Sequence, residues 1–162
     1  MAYQKQQYSK EQALQKARHY CGYQERSHTE VKEKLYGYGL RKAEVEELLS
    51  TLIEENYLNE ERYAAQFAGG KFRMKQWGRV KIKYELKQKR VSEYCIKKAM
   101  KEIDEEDYQK TLQKLAEVKW NSVTGEGVNH FVKMSKTTDY LVQKGYEMDL
   151  VRAVVQGLKE GR

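Results

Sequence analysis

An all-α fold, an elongated array of three tandem three-helix repeats built as helix-turn-helix-like units, is predicted by three observations. Helical periodicity runs through nearly the whole chain. Proline is absent from all 162 residues, where ordinary usage of about 5% would place roughly eight. One apolar pattern recurs three times. The supply of core residues points the same way: Leu, Ile, Val and Phe total 32, about a fifth of the chain, near the composition at which a polar sequence ceases to fold by itself. Small modules sharing thin cores suit that supply better than one thick globule.

Residues 1–8 read as an N-terminal tail. The first repeat, 9–56, begins with Ser9 as a helix cap, and Ala13, Leu14, Ala17, Tyr20 and Cys21 follow as one buried helical face. Ser27 with Glu30 has the spacing of a capping box, Val31, Leu35 and Tyr38 mark the inner face of a short second helix, and Gly37 and Gly39 supply its stop. Val45, Leu48, Leu49, Leu52 and Ile53 define a third helix with glutamates on its outer face, ended by Asn56 to Asn59.

The pattern then returns. Aligning Leu35, Leu86 and Leu141 brings Gly39-Leu40 onto Arg90-Val91 and Gly145-Tyr146, Val45 onto Ile96 and Val151, and Leu48-Leu49 onto Ala99-Met100 and Val154-Val155, without a gap. Each unit is a leading helix, a short helix, a tight turn and a closing helix. The leading helix carries Tyr63, Ala64, Phe67 and Met74 in the second repeat, 57–103, and Tyr108, Leu112, Leu115 and Ala116 in the third, 104–160. Asn121 to Val128 is the clear loop within a unit.

Charge is unevenly spread over this frame. Ala43 to Glu61 holds seven glutamates and no basic residue, whereas Lys71 to Lys101 holds twelve Lys/Arg against Glu85 and Glu93, a local +10 in a chain of net +7. Such a cationic surface implies a polyanionic partner. Arg79, Lys83, Lys87 and Arg90 fall in a line along the short helix of the second repeat, with Lys81 and Lys89 on the other flank of Ile82 and Leu86. Lys71, Arg73 and Lys75 end the helix before it and Lys97, Lys98 and Lys101 the helix after it; some of this charge serves the helix dipoles. Trp77 and Tyr84 sit among the lysines as stacking platforms would, although packing is the plainer role for Trp77.

Several classes are set aside. Cys21 and Cys95 lack CxxC spacing and read as buried thiols in a reducing compartment, and His19, His28 and His130 form no ligand pair. No metal or cofactor is therefore expected. The phosphate-loop and nucleophile-elbow motifs are missing, and Glu60-Glu61 and Asp104 to Asp107 stand at helix starts, where acids cap and offset the dipole. No catalytic residue is assigned and the chain is expected not to be an enzyme. Without an apolar leader or an 18-residue apolar run, the expectation is a cytoplasmic protein with no membrane partner.

The run Tyr57-Leu58-Asn59-Glu60-Glu61-Arg62-Tyr63-Ala64, followed by Phe67, Arg73, Trp77-Gly78, Lys81-Ile82, Glu85-Leu86, Lys89 and Val91, resembles the central signature of the RecX family of recombination regulators. Tyr140-Leu141, Lys144-Gly145-Tyr146 and Met148-Asp149 are similar to that family's C-terminal end, and weaker similarity extends over residues 10–158. Asn59-Glu60 stands where the family prefers two aspartates, Lys81 where it prefers arginine, and Arg90 where it has a turn glycine. The last substitution carries a penalty if that turn needs positive φ.

The resemblance implies a monomeric, non-enzymatic modulator, mainly inhibitory, acting in DNA repair, recombination and the SOS response. It would bind the groove of the RecA–DNA filament and limit filament extension, strand exchange and ATP hydrolysis, touching DNA weakly or within the filament. Arg73, Lys75, Arg79, Lys81, Lys83, Lys87, Lys89 and Arg90 are the residues expected to contact partner or DNA. The alternative is a helical-repeat protein that binds DNA directly, without a recombinase.

Overall fold

The computed structural model describes residues 7–161. Among these residues it contains nine α-helices and no strand. The first three are α1 (Lys10–Tyr23), α2 (His28–Gly37) and α3 (Lys42–Glu54). They are followed by α4 (Glu60–Lys75), α5 (Arg79–Gln88) and α6 (Glu93–Met100), and then by α7 (Glu105–Ser122), α8 (His130–Lys144) and α9 (Met148–Lys159).

The starts of these helices are written locally. Ser9 Oγ accepts a bond from the Gln12 amide and Gln12 Oε1 accepts one from the Ser9 amide, a complete capping box. Ser27 caps α2 through the Glu30 amide at 3.1 Å, but the Glu30 carboxylate accepts the Ser27 hydroxyl instead of a backbone N–H. The same carboxylate oxygen is also the acceptor for Tyr63 Oη. Asn59, Asp104 and Asn129 accept from the third residue of α4, α7 and α8 respectively. Asp104 thus serves as a cap, the structural role its position indicated. Two boundaries differ from expectation. Helix α7 runs on to Ser122, so the loop starts later than Asn121, and α8 has 15 residues where α2 and α5 have ten.

The threefold pattern is physical. Leu35, Leu86 and Leu141 are each fully buried, as are Val45 and Val151, with Ile96 nearly so. The three aligned turn positions, Gly39, Arg90 and Gly145, all have left-handed backbone, with φ of 90°, 59° and 98°. The residues after them, Leu40, Val91 and Tyr146, are all buried. A left-handed residue ends the short helix and swings the next side chain into the core, the usual logic of an αL stop. Glycine takes that conformation without strain and arginine does not. Replacing Arg90, which is exposed, by glycine is accordingly expected to raise stability by up to about 1 kcal/mol, read as a higher urea midpoint at unchanged slope. Of the two glycines expected to stop α2, Gly39 adopts positive φ while Gly37 remains the last helical residue.

The chain divides into two compact units. One comprises the described residues up to Gln66 together with Leu86–Ala99, and its core is built on Val31, Leu35, Val45, Leu48, Leu52 and Leu58. The other comprises Phe67–Glu85 and the residues from Met100 onward, with Ile82, Tyr108, Leu112, Leu141 and Val151 fully buried. Helices α4 and α5 each contribute residues to both units. Cys21 and Cys95 are buried free thiols, and burial raises both above the ordinary cysteine range. No described helix is long and apolar enough to cross a membrane, and no cluster of potential metal ligands occurs among the described residues.

Candidate partner-binding surface

The cationic segment is held by its α4–α5 turn. Gln76 is left-handed and ends α4, and Gly78, which is buried, begins α5 by accepting the amide of Ile82 at 3.1 Å. The turn lies directly on the one between α8 and α9. Gly78 donates its amide to Lys144 O at 2.8 Å, Val80 donates to Gly145 O at 2.9 Å, and Tyr146 Oη donates to Gln76 O at 2.9 Å. A Cβ on Gly78 would stand 2.3 Å from the Gly145 carbonyl, and one on Gly145 would stand 2.2 Å from Lys81 Cβ. Two glycines are therefore needed for the backbones to meet. Trp77 packs edge-on to Phe67, with Lys81 Nζ 4.4 Å and Lys71 Nζ 5.1 Å from its ring centroid, the geometry of cation–π contact.

Arg79, the first residue of α5, is clamped. Its Nη1 reaches Glu105 Oε2 at 2.7 Å, its Nε and Nη2 reach Glu147 Oε2 at 2.9 and 2.7 Å, and its guanidinium carbon lies 3.9 Å from the Tyr108 ring centroid. Tyr108 Oη accepts the Arg79 amide at 3.0 Å and donates a short bond to Glu147 Oε1. Burial, with that bond to Glu147 adding to it, holds the Tyr108 hydroxyl well above the ordinary tyrosine range, so it remains a donor. Hydrogen bonds from Gln109 and then Arg79 hold the Glu105 carboxyl below the usual carboxylate range.

The eight residues expected to meet a partner thus fall into two groups. Arg79, Lys81 and Lys89 are only partly exposed and have partners within the chain: Arg79 and Lys81 as above, Lys89 with Glu30 at 3.7 Å. Arg73, Lys75, Lys83, Lys87 and Arg90 are exposed, and their charges form no ion pair among the described residues. Lys83 and Lys87 stand one turn apart on the outer face of α5. Val80 and Tyr84, both more than half exposed, share that face, following the i, i+3, i+4, i+7 spacing. Arg90 lies in the turn past the end of α5, not on the helix. Val80 did not stand out in the sequence, because a lone valine in a helical pattern reads as core. Glu147 did not stand out either; its position just after the Lys144-Gly145-Tyr146 step was the available signal.

Comparison with known proteins matches this architecture. The family model described as "RecX, second three-helix domain" matches residues 59–100 and that described as "RecX, third three-helix domain" matches 105–155. Together they cover more than half of the chain. A regulatory protein RecX of Clostridium perfringens is 34% identical over 129 residues, 80% of this chain and 60% of that protein. One of Bacillus cytotoxicus is 30% identical over 142 residues, 87% of this chain and 52% of that protein. The chain therefore spans only about half to three-fifths of the length of these curated relatives. The crystal structure of RecX from Lactobacillus salivarius superposes with a TM-score of 0.82 at 22% identity, covering 93% of this chain and 96% of that one; at that identity the likeness shows the fold. A second RecX crystal structure gives a TM-score of 0.80 at 20% identity, over 91% of this chain and 71% of that one. From the two matched domains, the relatives and the shared fold, the chain belongs to the RecX family of regulatory proteins.

Proposed function

We propose that this chain is a modulator, mainly negative, of the RecA recombinase, binding the groove of the RecA–DNA filament and limiting filament extension, strand exchange and ATP hydrolysis in the cytoplasm. Its working units would be three repeats at residues 9–56, 57–103 and 104–160. Family membership supports the class of activity, and the observation that carries the contact is the outer face of α5, where Lys83 and Lys87 are exposed and form no ion pair among the described residues. Exposed cations of this kind keep their full charge for a polyanionic or acidic partner and lose it to nothing inside the fold. Arg73, Lys75 and Arg90 are the further exposed candidates; Arg79, Lys81 and Lys89 would act mainly by holding the segment in place.

The double reversal Lys83→Glu/Lys87→Glu is expected to leave helicity and melting nearly unchanged, since surface substitutions of this kind shift stability by about 0.5 kcal/mol or less. It is expected to weaken inhibition of the recombinase's DNA-dependent ATPase by at least about ten-fold, the effect of losing two interfacial charges facing opposite charge. Inhibition at the wild-type concentration would remove α5 from the contact. A second reading, direct DNA binding without recombinase, is favoured by Tyr84 standing 59% exposed beside Lys83. Tight binding of free DNA with a steep salt slope would support it.

A further inference from the structure

An open groove of about 660 Å³ lies on α1, α2 and the residues flanking them, remote in sequence from the cationic segment. Its walls include Tyr20, Tyr23 and Tyr38, with Lys16, Arg26 and Lys34 among them, and none of its lining residues is acidic. Tyr23 ends α1 and is 79% exposed. Lys16 and Tyr23 are seven residues apart and so share one face of that helix. Arg26 is preset: its Nε donates to Tyr20 O at 3.1 Å, and its guanidinium carbon lies over the Tyr20 ring at 3.8 Å from the centroid. Lys34 Nζ stands 5.1 Å from the same centroid. On the far side, Tyr8 meets Tyr38 edge-to-face at 5.5 Å and is tied to it by a backbone bond of 3.0 Å. Glu30 and Glu33 line a neighbouring depression that shares Tyr20, Lys34 and Tyr38 with the groove, so Lys34 stands at the border with the acidic side, whereas Lys16, Tyr23 and Arg26 line the groove alone.

We propose that this groove binds single-stranded nucleic acid, with a base stacked on Tyr23 and phosphates met by Lys16, Arg26 and Lys34. Cations alone would serve an acidic peptide as well. Flat aromatic faces interleaved with cations, however, are what a strand of bases and phosphates uses in full. The Arg26 guanidinium over the Tyr20 ring sets a cation directly against the aromatic wall. The inference goes beyond the recombinase reading and does not depend on it, because it concerns naked strand and a different part of the chain.

The test is fluorescence anisotropy of a labelled oligothymidylate with the full chain, free of recombinase, in the Lys83→Glu/Lys87→Glu background so that α5 does not contribute. Binding should persist there. Tyr23→Ala, at an exposed position, should weaken it by about ten-fold while circular dichroism is unchanged. The same substitution should not alter binding of an abasic strand of equal charge. Lys16→Gln should lower the slope of log affinity against log salt by about 0.7. Loss of all strand binding in the α5 background, or an unchanged affinity in Tyr23→Ala, would overturn the proposal. Displacement of the strand by polyglutamate as effectively as by unlabelled oligothymidylate would overturn it too, in favour of an acidic polypeptide ligand.

Discussion

Gly78→Ala is expected to destabilise the protein by about 3–5 kcal/mol, the sum of an overpacked contact and of buried backbone bonds left unmade. The added methyl would stand 2.3 Å from the carbonyl carbon and oxygen of Gly145 and 2.4 Å from the Tyr146 amide. All three are backbone atoms, so no side-chain rotamer relieves the clash. Separating the strands of chain breaks the bonds from Gly78 to Lys144 and from Val80 to Gly145, and it draws Tyr146 Oη away from Gln76 O. Gly70→Ala provides the internal control. A Cβ there meets nothing within 4 Å, and the residue lies inside α4, so the change should stabilise by about 0.5–1 kcal/mol through helix propensity. Urea unfolding of both variants checks the pair. Equal midpoints would mean that the two turns do not meet as described.

Arg79→Glu is expected to cost about 2–4 kcal/mol, less than the loss of one partner from a fully buried ion pair because Glu105 is well solvated. Among the described residues, Arg79 is the cation paired with both Glu105 and Glu147, beside the Tyr108 hydroxyl. The Glu105 pair, with that carboxylate side chain 64% exposed, contributes little. The Glu147 pair is different: both side chains are less than a third exposed, and the guanidinium meets Glu147 Oε2 through two nitrogens. Reversal leaves three carboxylates together over the Tyr108 ring. If the proposed function holds, the variant is therefore expected to lose inhibition of recombinase along with thermal stability, whereas Lys83→Glu/Lys87→Glu is expected to lose inhibition alone. Measuring melting and inhibition on the same samples separates the two, and a stable Arg79→Glu protein without inhibition would make Arg79 a direct contact.

Much of the fold was legible because it is local. Ser9, Ser27, Asn59 and Asp104 cap helices within three residues of themselves, and the buried faces of α1 to α3 follow the helical period. The register of Gly39, Arg90 and Gly145 was legible for the same reason: an αL stop depends on the helix just before it. The division of the cationic residues was not legible. Arg79, Lys83 and Lys87 are equally spaced and equally basic in sequence, yet Arg79 meets Glu105 and Glu147, 26 and 68 residues away, while the two lysines form no ion pair among the described residues. Lys89 is likewise drawn to Glu30, on a helix that charge counting treats as a separate module.

The sequence by itself determined the helices, their ends and the threefold pattern, since side-chain period, caps and left-handed stops act over one or two turns. It also determined where net charge gathers, which is a matter of composition along the chain. Only the tertiary structure decided which charges remain available, because pairing depends on distances between residues far apart in sequence. It alone also decided why Trp77 is followed by glycine: the α8–α9 turn approaches so closely that no side chain fits between the two backbones.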